Sequence, residues 1–185
     1  MRIVAGAWRG RRLAAPPGEA TRPTADRARQ AIFNVLAHAR FTGRAVLSGA
    51  RVLDGFAGTG AMGLEALSRG AEQATFIEAD RAALAALRAN IAACRAEQRT
   101  LVLAADMLRP PLATAPATLL FLDPPYGRGL LAPALAALGA AGWVAPGALA
   151  VAELGADEPV PDLPGFTLLD RRRWGAAQVL FLGPR

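Results

Sequence analysis

The stretch VLDGFAGTGAMGLEAL, residues 52–67, joins an apolar strand pattern to an apolar helix pattern through a glycine-rich turn. Gly58, Gly60 and Gly63 have the spacing G-x-G-x-x-G, which is typical of a nucleotide-binding loop between a strand and a helix. In the dinucleotide-binding form of this loop, the first glycine follows the strand directly. Here three residues separate it from Asp54 at the end of the strand, so the loop resembles that form without matching it.

Strand and helix patterns alternate on the C-terminal side of this stretch, which predicts an α/β fold: a mostly parallel sheet with helices on both faces. Two further strand patterns near the C-terminus flank Arg172–Gly175 and predict an antiparallel edge pair. The predicted strands are 51–56, 73–80, 100–106, 117–123, 148–154, 165–173 and 176–183, and the predicted helices of this part are 61–69, 81–94 and 130–141.

Nothing in the chain reads as a linker or an internal repeat, so we expect one domain spanning residues 1–185. Its first part, residues 1–44, is predicted to be a basic N-terminal extension. Within it, β-type residues broken by glycine up to residue 16 predict a small hairpin apart from the main sheet. The spacing of apolar residues in 21–40 predicts an amphipathic helix.

The charge of the chain is concentrated in this extension. Residues 1–44 contain nine arginines and two acids and carry +7, whereas the remaining residues carry −1. A solvated basic surface is one interpretation, and a surface that binds a phosphate backbone is the other. The arginines predicted to contact RNA on the second interpretation are Arg2, Arg9, Arg11, Arg12 and Arg22.

Several classes of protein fit the composition poorly. Cys94 and His38 are the only residues of their types, so neither a disulfide framework nor a zinc site is expected, and no other metal is predicted. No apolar run reaches the length of a membrane span, and the first residues have no apolar core of a signal peptide. We expect a cytoplasmic protein without a membrane partner, and a monomer rather than an oligomer.

Acidic residues follow three successive predicted strands, at the edge where open α/β sheets bind ligands. Asp54 would repel a pyrophosphate but suits a cofactor with an ammonium group and a nucleoside, such as S-adenosylmethionine. In that interpretation Asp54 faces the methionyl amine, Glu78 accepts hydrogen bonds from the ribose hydroxyls, and Asp106 accepts one from the adenine amine beside Met107. The predicted cofactor-binding residues are Asp54, Gly55, Phe56, Ala57, Gly58, Gly60, Glu78, Asp106 and Met107.

The segment FLDPPYG, residues 121–127, ends the fourth strand of the predicted sheet. In a doubly wound sheet this strand end faces the glycine-rich loop across the ligand crevice. Asp123 and the carbonyl of Pro124 can accept the two N–H bonds of an exocyclic amine on a base and so direct its lone pair, while Pro124 and Pro125 fix the backbone. Tyr126 can stack on the base. These four residues are the predicted catalytic residues.

The segments quoted above, together with MRIVAGAWRGRRL (1–13), TRPTADRARQAIFNVL (21–36) and FIEAD (76–80), resemble the RsmD-type small-subunit ribosomal RNA guanine-N2 methyltransferases. The resemblance extends to about residue 155. It implies a Rossmann-like class I methyltransferase with sheet order 3-2-1-4-5-7-6 and a basic extension that binds RNA. It also implies methylation of guanine 966 of 16S rRNA in a small-subunit assembly particle.

Three alternatives stay open at this point. A DNA or RNA adenine-N6 methyltransferase can use the same DPPY segment, although 185 residues leave no room for the target-recognition domain expected of a DNA enzyme. An NAD-dependent oxidoreductase would account for the glycine spacing but not for DPPY or the basic extension. A non-catalytic RNA-binding assembly factor is the remaining alternative.

Overall fold

The computed structural model describes residues 1–15, 23–38 and 46–185, with side chains from Asp26 onward in the first helix. The helices are α1 (Pro23–His38), α2 (Ala61–Ser68), α3 (Arg81–Cys94) and α4 (Leu131–Ala140), with a short 3-10 turn at Glu97–Arg99. The strands are β1 (Arg51–Gly55), β2 (Gln73–Glu78), β3 (Thr100–Ala104), β4 (Ala117–Leu122), β5 (Val144–Gly155), β6 (Phe166–Trp174) and β7 (Ala177–Pro184).

The strands form one seven-stranded sheet in the order β3-β2-β1-β4-β5-β7-β6. Strands β1 to β5 are parallel to one another, and β7 runs antiparallel to both of its neighbours, β5 and β6. The predicted fold class and strand order are therefore confirmed. The order of strands along the chain reverses between β1 and β4, which is the position at which sheets of this type open a ligand crevice.

Both faces of the sheet are covered, which explains why its strands are apolar along most of their length. On one face, Phe76, Phe121 and Phe181 pack in a cluster that also contains residues of α1, α2 and α3. On the other face, Leu53 and Leu120 belong to a second cluster that includes the apolar side of α4. The inner strands thus alternate between two separate cores, whereas the edge strand β6 is mostly exposed. The register of the strands decides which side chains reach the crevice.

Most strand boundaries differ from the predicted ones by one or two residues, and the largest difference is at the start of β5. Strand β5 begins at Val144 and not at residue 148, because the strand continues past Pro146 and Gly147, where Gly147 has φ +66° and the register against β4 is irregular. Strand β3 ends at Ala104, so Asp106 lies two residues beyond the strand that it was predicted to end.

The first residues form a hairpin outside the sheet, as predicted. The amide of Ile3 donates to the carbonyl of Arg11 at 2.9 Å, and the amide of Leu13 donates to the carbonyl of Met1 at 3.1 Å. A single antiparallel bridge joins Arg2 and Arg12.

One buried carboxylate anchors the hairpin to the domain. Glu65 of α2 has no exposed surface and accepts hydrogen bonds from the amides of Val4 at 2.7 Å and Ala5 at 3.0 Å. Its charge is paired with Arg69 at 2.7 Å and with Arg29 at 3.5 Å. A buried charge is tolerated only when it is paired and hydrogen-bonded. The buried carboxylate of Glu65 therefore needs the hairpin amides, and the hairpin has to be docked in the folded protein.

Two glycines in helices give a direct test of packing against the sheet. A Cβ on Gly63 would lie 2.4 Å from Cε1 of Phe76, whereas a Cβ on Gly139 would have nothing within 4 Å. We expect Gly63→Ala to lower the free energy of unfolding by about 1–3 kcal/mol through overpacking. Gly139→Ala should raise it by about 0.5–1 kcal/mol, because alanine is the better helix former. Urea unfolding of both variants measures this, and equal shifts would contradict the described packing of α2.

Candidate active site

Acidic side chains end four neighbouring strands on the crevice edge of the sheet. They are Asp54 on β1, Glu78 on β2, Asp123 directly after β4, and Glu153 near the end of β5. The first three were predicted from the sequence. Glu153 was not, although an acid after the apolar run of a strand is the same signal that identified the others.

The register places these side chains on one face of the sheet. Leu122 of β4 is paired with Ala152 of β5, so Asp123 and Glu153 occupy the next row side by side. Asp54 is paired with Phe121, which lies two positions before Asp123 on β4. Since side chains alternate between faces with a period of two, all three carboxylates project on the same side.

Asp54 lies deepest, with 4% of its surface exposed. Its Oδ2 accepts a hydrogen bond of 2.8 Å from the amide of Gly63 in the first turn of α2. The pKa of Asp54 is raised to about 8, chiefly by burial and also by the charges of Asp123 and Glu78, while the bond from Gly63 opposes the shift. This carboxylate is therefore poised to receive a positively charged group.

Glu78 is oriented by three backbone amides. Its Oε2 accepts from the amide of Gly58 at 2.7 Å, and its Oε1 accepts from the amides of Ala79 and Asp80 at 2.8 Å each. Asp80 itself caps α3, because its Oδ1 accepts from the amide of Ala83 at 2.8 Å. The Glu78 carboxylate is fixed beside the glycine-rich loop, where it can accept further hydrogen bonds from a ligand.

The glycines of the loop have different reasons to be glycine. At Gly58, with φ +53°, the atom nearest to an added Cβ would be the carbonyl oxygen of Phe56 at 4.0 Å, so space is left beside the backbone. At Gly60 an added Cβ would lie 2.3 Å from Cδ1 of Leu87, so packing demands glycine there. The predicted close approach of a cofactor thus fits Gly58 better than Gly60.

Asp106 and Met107, predicted to contact adenine, differ in accessibility. Asp106 is exposed, and its Oδ1 accepts from the amide of Leu108 at 2.9 Å. Met107 is 2% exposed, and a Cβ on Gly55 would lie only 2.8 Å from its sulfur. Met107 would therefore have to move to reach a ring, and both contacts stay predictions.

Tyr126 is joined to the end of β5. Its ring is 48% exposed, and its hydroxyl donates a hydrogen bond to Oε1 of Glu153. Burial and the contact with Glu153 raise the pKa of the Tyr126 hydroxyl. Glu158 ties the same loop a second time, because its Oε2 accepts from the amides of Gly127 at 3.1 Å and Gly155 at 3.2 Å. The ring is thus presented to solvent by a loop that is fastened to β5.

Asp123 and Glu153 influence each other. The side chain of Asp123 is exposed at the crevice. Its pKa is nevertheless raised, first because surrounding protein atoms displace water from the carboxyl group and then because of the charge of Glu153. Burial also raises the pKa of Glu153, while the hydrogen bond from Tyr126 lowers it. Of the two prolines that separate Asp123 from Tyr126 in the sequence, Pro124 is buried and Pro125 is exposed.

The predicted RNA-binding arginines lie on the hairpin, except that Arg22 is outside the described residues. Arg2, Arg9, Arg11 and Arg12 are exposed. Arg11 also donates a hydrogen bond to the carbonyl of Ala93 near the end of α3, so it has a structural contact that the sequence did not indicate.

The turn of the hairpin lies away from the crevice. The amide of Trp8 donates to Oγ of Ser68 at 3.0 Å, and Ser68 is the last residue of α2. Helix α2 starts at the glycine-rich loop and has 8 residues, which span about 12 Å. Arg9 is therefore about one helix length from the loop, and RNA that contacts both would extend over this side of the protein.

Two kinds of feature are absent from the described part of the chain. None of its helices is long and apolar enough to cross a membrane. Among the same residues, no cluster of three or more His, Cys, Asp or Glu side chains is arranged to hold a metal ion.

The sheet order, the glycine-rich loop and the acids at the strand ends define a class I methyltransferase. Solved structures agree: a putative methyltransferase from Escherichia coli matches with a TM-score of 0.84 and 38% identity over 100% of this chain and 98% of that chain. A putative RNA methyltransferase from Pyrococcus horikoshii, 15% identical over 94% of this chain and 91% of that chain, shares the fold with a TM-score of 0.66.

Within that class, the chain belongs to the family of ribosomal RNA small subunit methyltransferase D. The family profile described as "Conserved hypothetical protein 95" matches residues 1–183. The methyltransferase D of Escherichia coli strain K12 is 40% identical over 181 residues, which cover 98% of this chain and 87% of the relative. That of Haemophilus influenzae is 35% identical over 95% of this chain and 89% of the relative. The resemblance inferred from the sequence motifs is confirmed.

The pKa of Asp54 makes stability depend on pH. With a folded-state pKa of about 8 against an ordinary value of 3.8, the folded protein retains a proton that the unfolded chain has lost. The contribution is complete below pH 3.8 and is lost as the pH rises towards 8, by at most about 1.4 kcal/mol per pH unit. Asparagine cannot ionise but keeps an oxygen for the Gly63 amide.

We therefore expect Asp54→Asn to match the wild type in stability near pH 4 and to exceed it increasingly up to about pH 8. Urea unfolding across this range measures the difference, and the other carboxylates serve as an internal control because both proteins retain them. Parallel stability curves would contradict a protonated Asp54 in the folded protein.

Proposed function

We propose that this protein transfers the methyl group of S-adenosylmethionine to the N2 amine of guanine 966 in 16S rRNA, within a small-subunit assembly particle. The observation that carries the proposal is the arrangement of Asp123 and Tyr126 across the β1–β4 crevice from Asp54 and the glycine-rich loop. The relatives named as small-subunit rRNA methyltransferases support the RNA substrate.

The residues on the β1 side of the crevice fit the proposed cofactor. S-Adenosylmethionine supplies an electrophilic methyl group on sulfur. Asp54 would bind its ammonium group, since a cation beside this buried carboxylate relieves the unfavourable charge that raises its pKa. Glu78 would bind the ribose hydroxyls, and Gly58 leaves space for close approach.

The residues on the β4 side would activate the amine. The lone pair of an exocyclic amine is delocalised into the base, so the amine needs acceptors that localise and direct it. Asp123 and the Pro124 carbonyl would each accept one N–H bond, while the exposed ring of Tyr126 would stack on the base.

The same carboxylate can complete the reaction. As the nitrogen forms its bond to the methyl carbon and the carbon–sulfur bond breaks, the nitrogen becomes positively charged, and Asp123 stabilises that charge. Asp123 then accepts the proton that the nitrogen releases. A raised pKa makes Asp123 a stronger base than an ordinary carboxylate and suits it to this step.

The NAD-dependent oxidoreductase alternative is excluded, because the chain belongs to a methyltransferase family. Adenine-N6 methylation is the alternative that the DPPY segment also permits. Mass spectrometry of nucleosides from RNA methylated by the purified protein distinguishes N2-methylguanosine from N6-methyladenosine. The second product would contradict the proposal.

Replacement of Asp123 tests the amine-directing role. We expect Asp123→Ala to lower the methylation rate about 10²–10³-fold, the typical cost of removing one group that stabilises a transition state. The affinity for S-adenosylmethionine, measured by calorimetry, should change little. Asp157→Ala is the control, since that side chain is 99% exposed. A near wild-type rate for Asp123→Ala would contradict the role.

Replacement of hairpin arginines tests the RNA surface. Arg11 is left in place because it contacts α3. We expect Arg9→Ala with Arg12→Ala to weaken RNA binding and to lower the slope of log affinity against log salt by roughly 0.7–0.9 for each phosphate that is no longer neutralised. The control removes the same charge from the exposed positions Arg81 and Arg88 of α3. Equal slopes for the two double variants would mean that the hairpin charge is only solvated.

A further inference from the structure

A second carboxylate stands beside the one that would direct the amine. Asp123 and Glu153 occupy the same row of β4 and β5, directly after the paired residues Leu122 and Ala152. Neighbouring strands are about 4.7–4.9 Å apart, so two carboxylates in one row present a pair of acceptors at close spacing. Burial and then the charge of Glu153 raise the pKa of Asp123, as expected for two carboxylates side by side.

The orientation of Glu153 is constrained by the ring that would stack on the base. Its Oε1 accepts the hydroxyl of Tyr126. The contacts described for this carboxylate therefore occupy one oxygen and leave Oε2 able to accept another hydrogen bond. Ring and carboxylate are held together, so a base that stacks on Tyr126 would present its edge to Asp123 and Glu153.

Guanine and adenine present opposite patterns to such a pair. Guanine carries two kinds of donor next to each other on its Watson–Crick edge, the N1–H and the N2 amine. Adenine carries its N6 amine beside N1, which is an acceptor. Two adjacent carboxylates match the guanine pattern, whereas adenine would place the N1 lone pair against a negative charge and leave a partly buried acceptor unpaired.

We propose that Glu153 accepts the N1–H of the target guanine while Asp123 accepts an N2–H, so that Glu153 is the residue that selects guanine. This inference rests on the proposed function and assigns base specificity within the same site. It also gives the Tyr126 hydroxyl a purpose, which is to hold Glu153 in line with the stacked base.

The test uses 2-aminopurine, which keeps the N2 amine but has an acceptor at N1. The full-length protein is given 16S rRNA assembled with either guanine or 2-aminopurine at the target position, and kcat/KM is measured for both. The wild type should prefer guanine by about 10–100-fold, the usual penalty for an unmade hydrogen bond to a charged group. Glu153→Gln can turn an amide N–H towards N1, so it should reduce that preference by about the same factor.

Tyr126→Phe is the matched control, because it removes the hydrogen bond to Glu153 without changing the acceptor pair. Because Glu153 keeps its carboxylate and loses only the bond that holds it in line, the preference for guanine should fall by much less than in Glu153→Gln. Equal use of the two bases by the wild type, or an unchanged preference in Glu153→Gln, would overturn the inference. The comparison of the two bases with the wild-type protein tests the inference even if Glu153→Gln does not fold. Absence of N2-methylguanosine from the wild-type reaction would instead overturn the proposed function.

Discussion

The constraint on which the site depends is the repulsion among carboxylates gathered at one edge of the sheet. Asp54, Glu78, Asp123 and Glu153 end four neighbouring strands. Burial raises the pKa of Asp54, Asp123 and Glu153, and the charge of a neighbouring carboxylate raises it further at Asp54 and Asp123. Such an arrangement is unfavourable for the protein alone. It would become favourable with a ligand that brings an ammonium group, hydroxyls or N–H donors into the crevice, and the proposed substrates S-adenosylmethionine and guanine carry these groups.

Hydrogen bonds from backbone amides stabilise two of the carboxylates at this edge of the sheet. Glu78 is held by three amides, and Asp54 receives the amide of Gly63 from the first turn of α2, where the helix dipole favours a negative group. The glycine-rich loop therefore both admits a ligand and stabilises the acids that would bind it. Gly63 also allows α2 to pack closely on Phe76, so packing and electrostatics depend on the same short segment.

Local patterns predicted most of this architecture, because apolar periodicity and residues at strand ends are properties of short segments. The sheet order came from the resemblance, and Asp54, Glu78 and Asp123 came from acids after apolar runs. The role of Glu153 depends on the pairing of β4 with β5 and on a hydrogen bond from a residue 27 positions earlier, which no local pattern shows. The contact of Arg11 with Ala93, 82 positions later, was missed for the same reason.

The anchoring of the hairpin through Glu65 also sets an order of events during synthesis. Val4 and Ala5 bind a carboxylate that is made about 60 residues later, and Ala14 binds Asn90 of α3. The arginine-rich hairpin thus leaves the ribosome before α2 and α3 and has no docking surface until they have followed. During that interval its charges are carried by an undocked segment, which can meet polyanions before the methyltransferase fold exists.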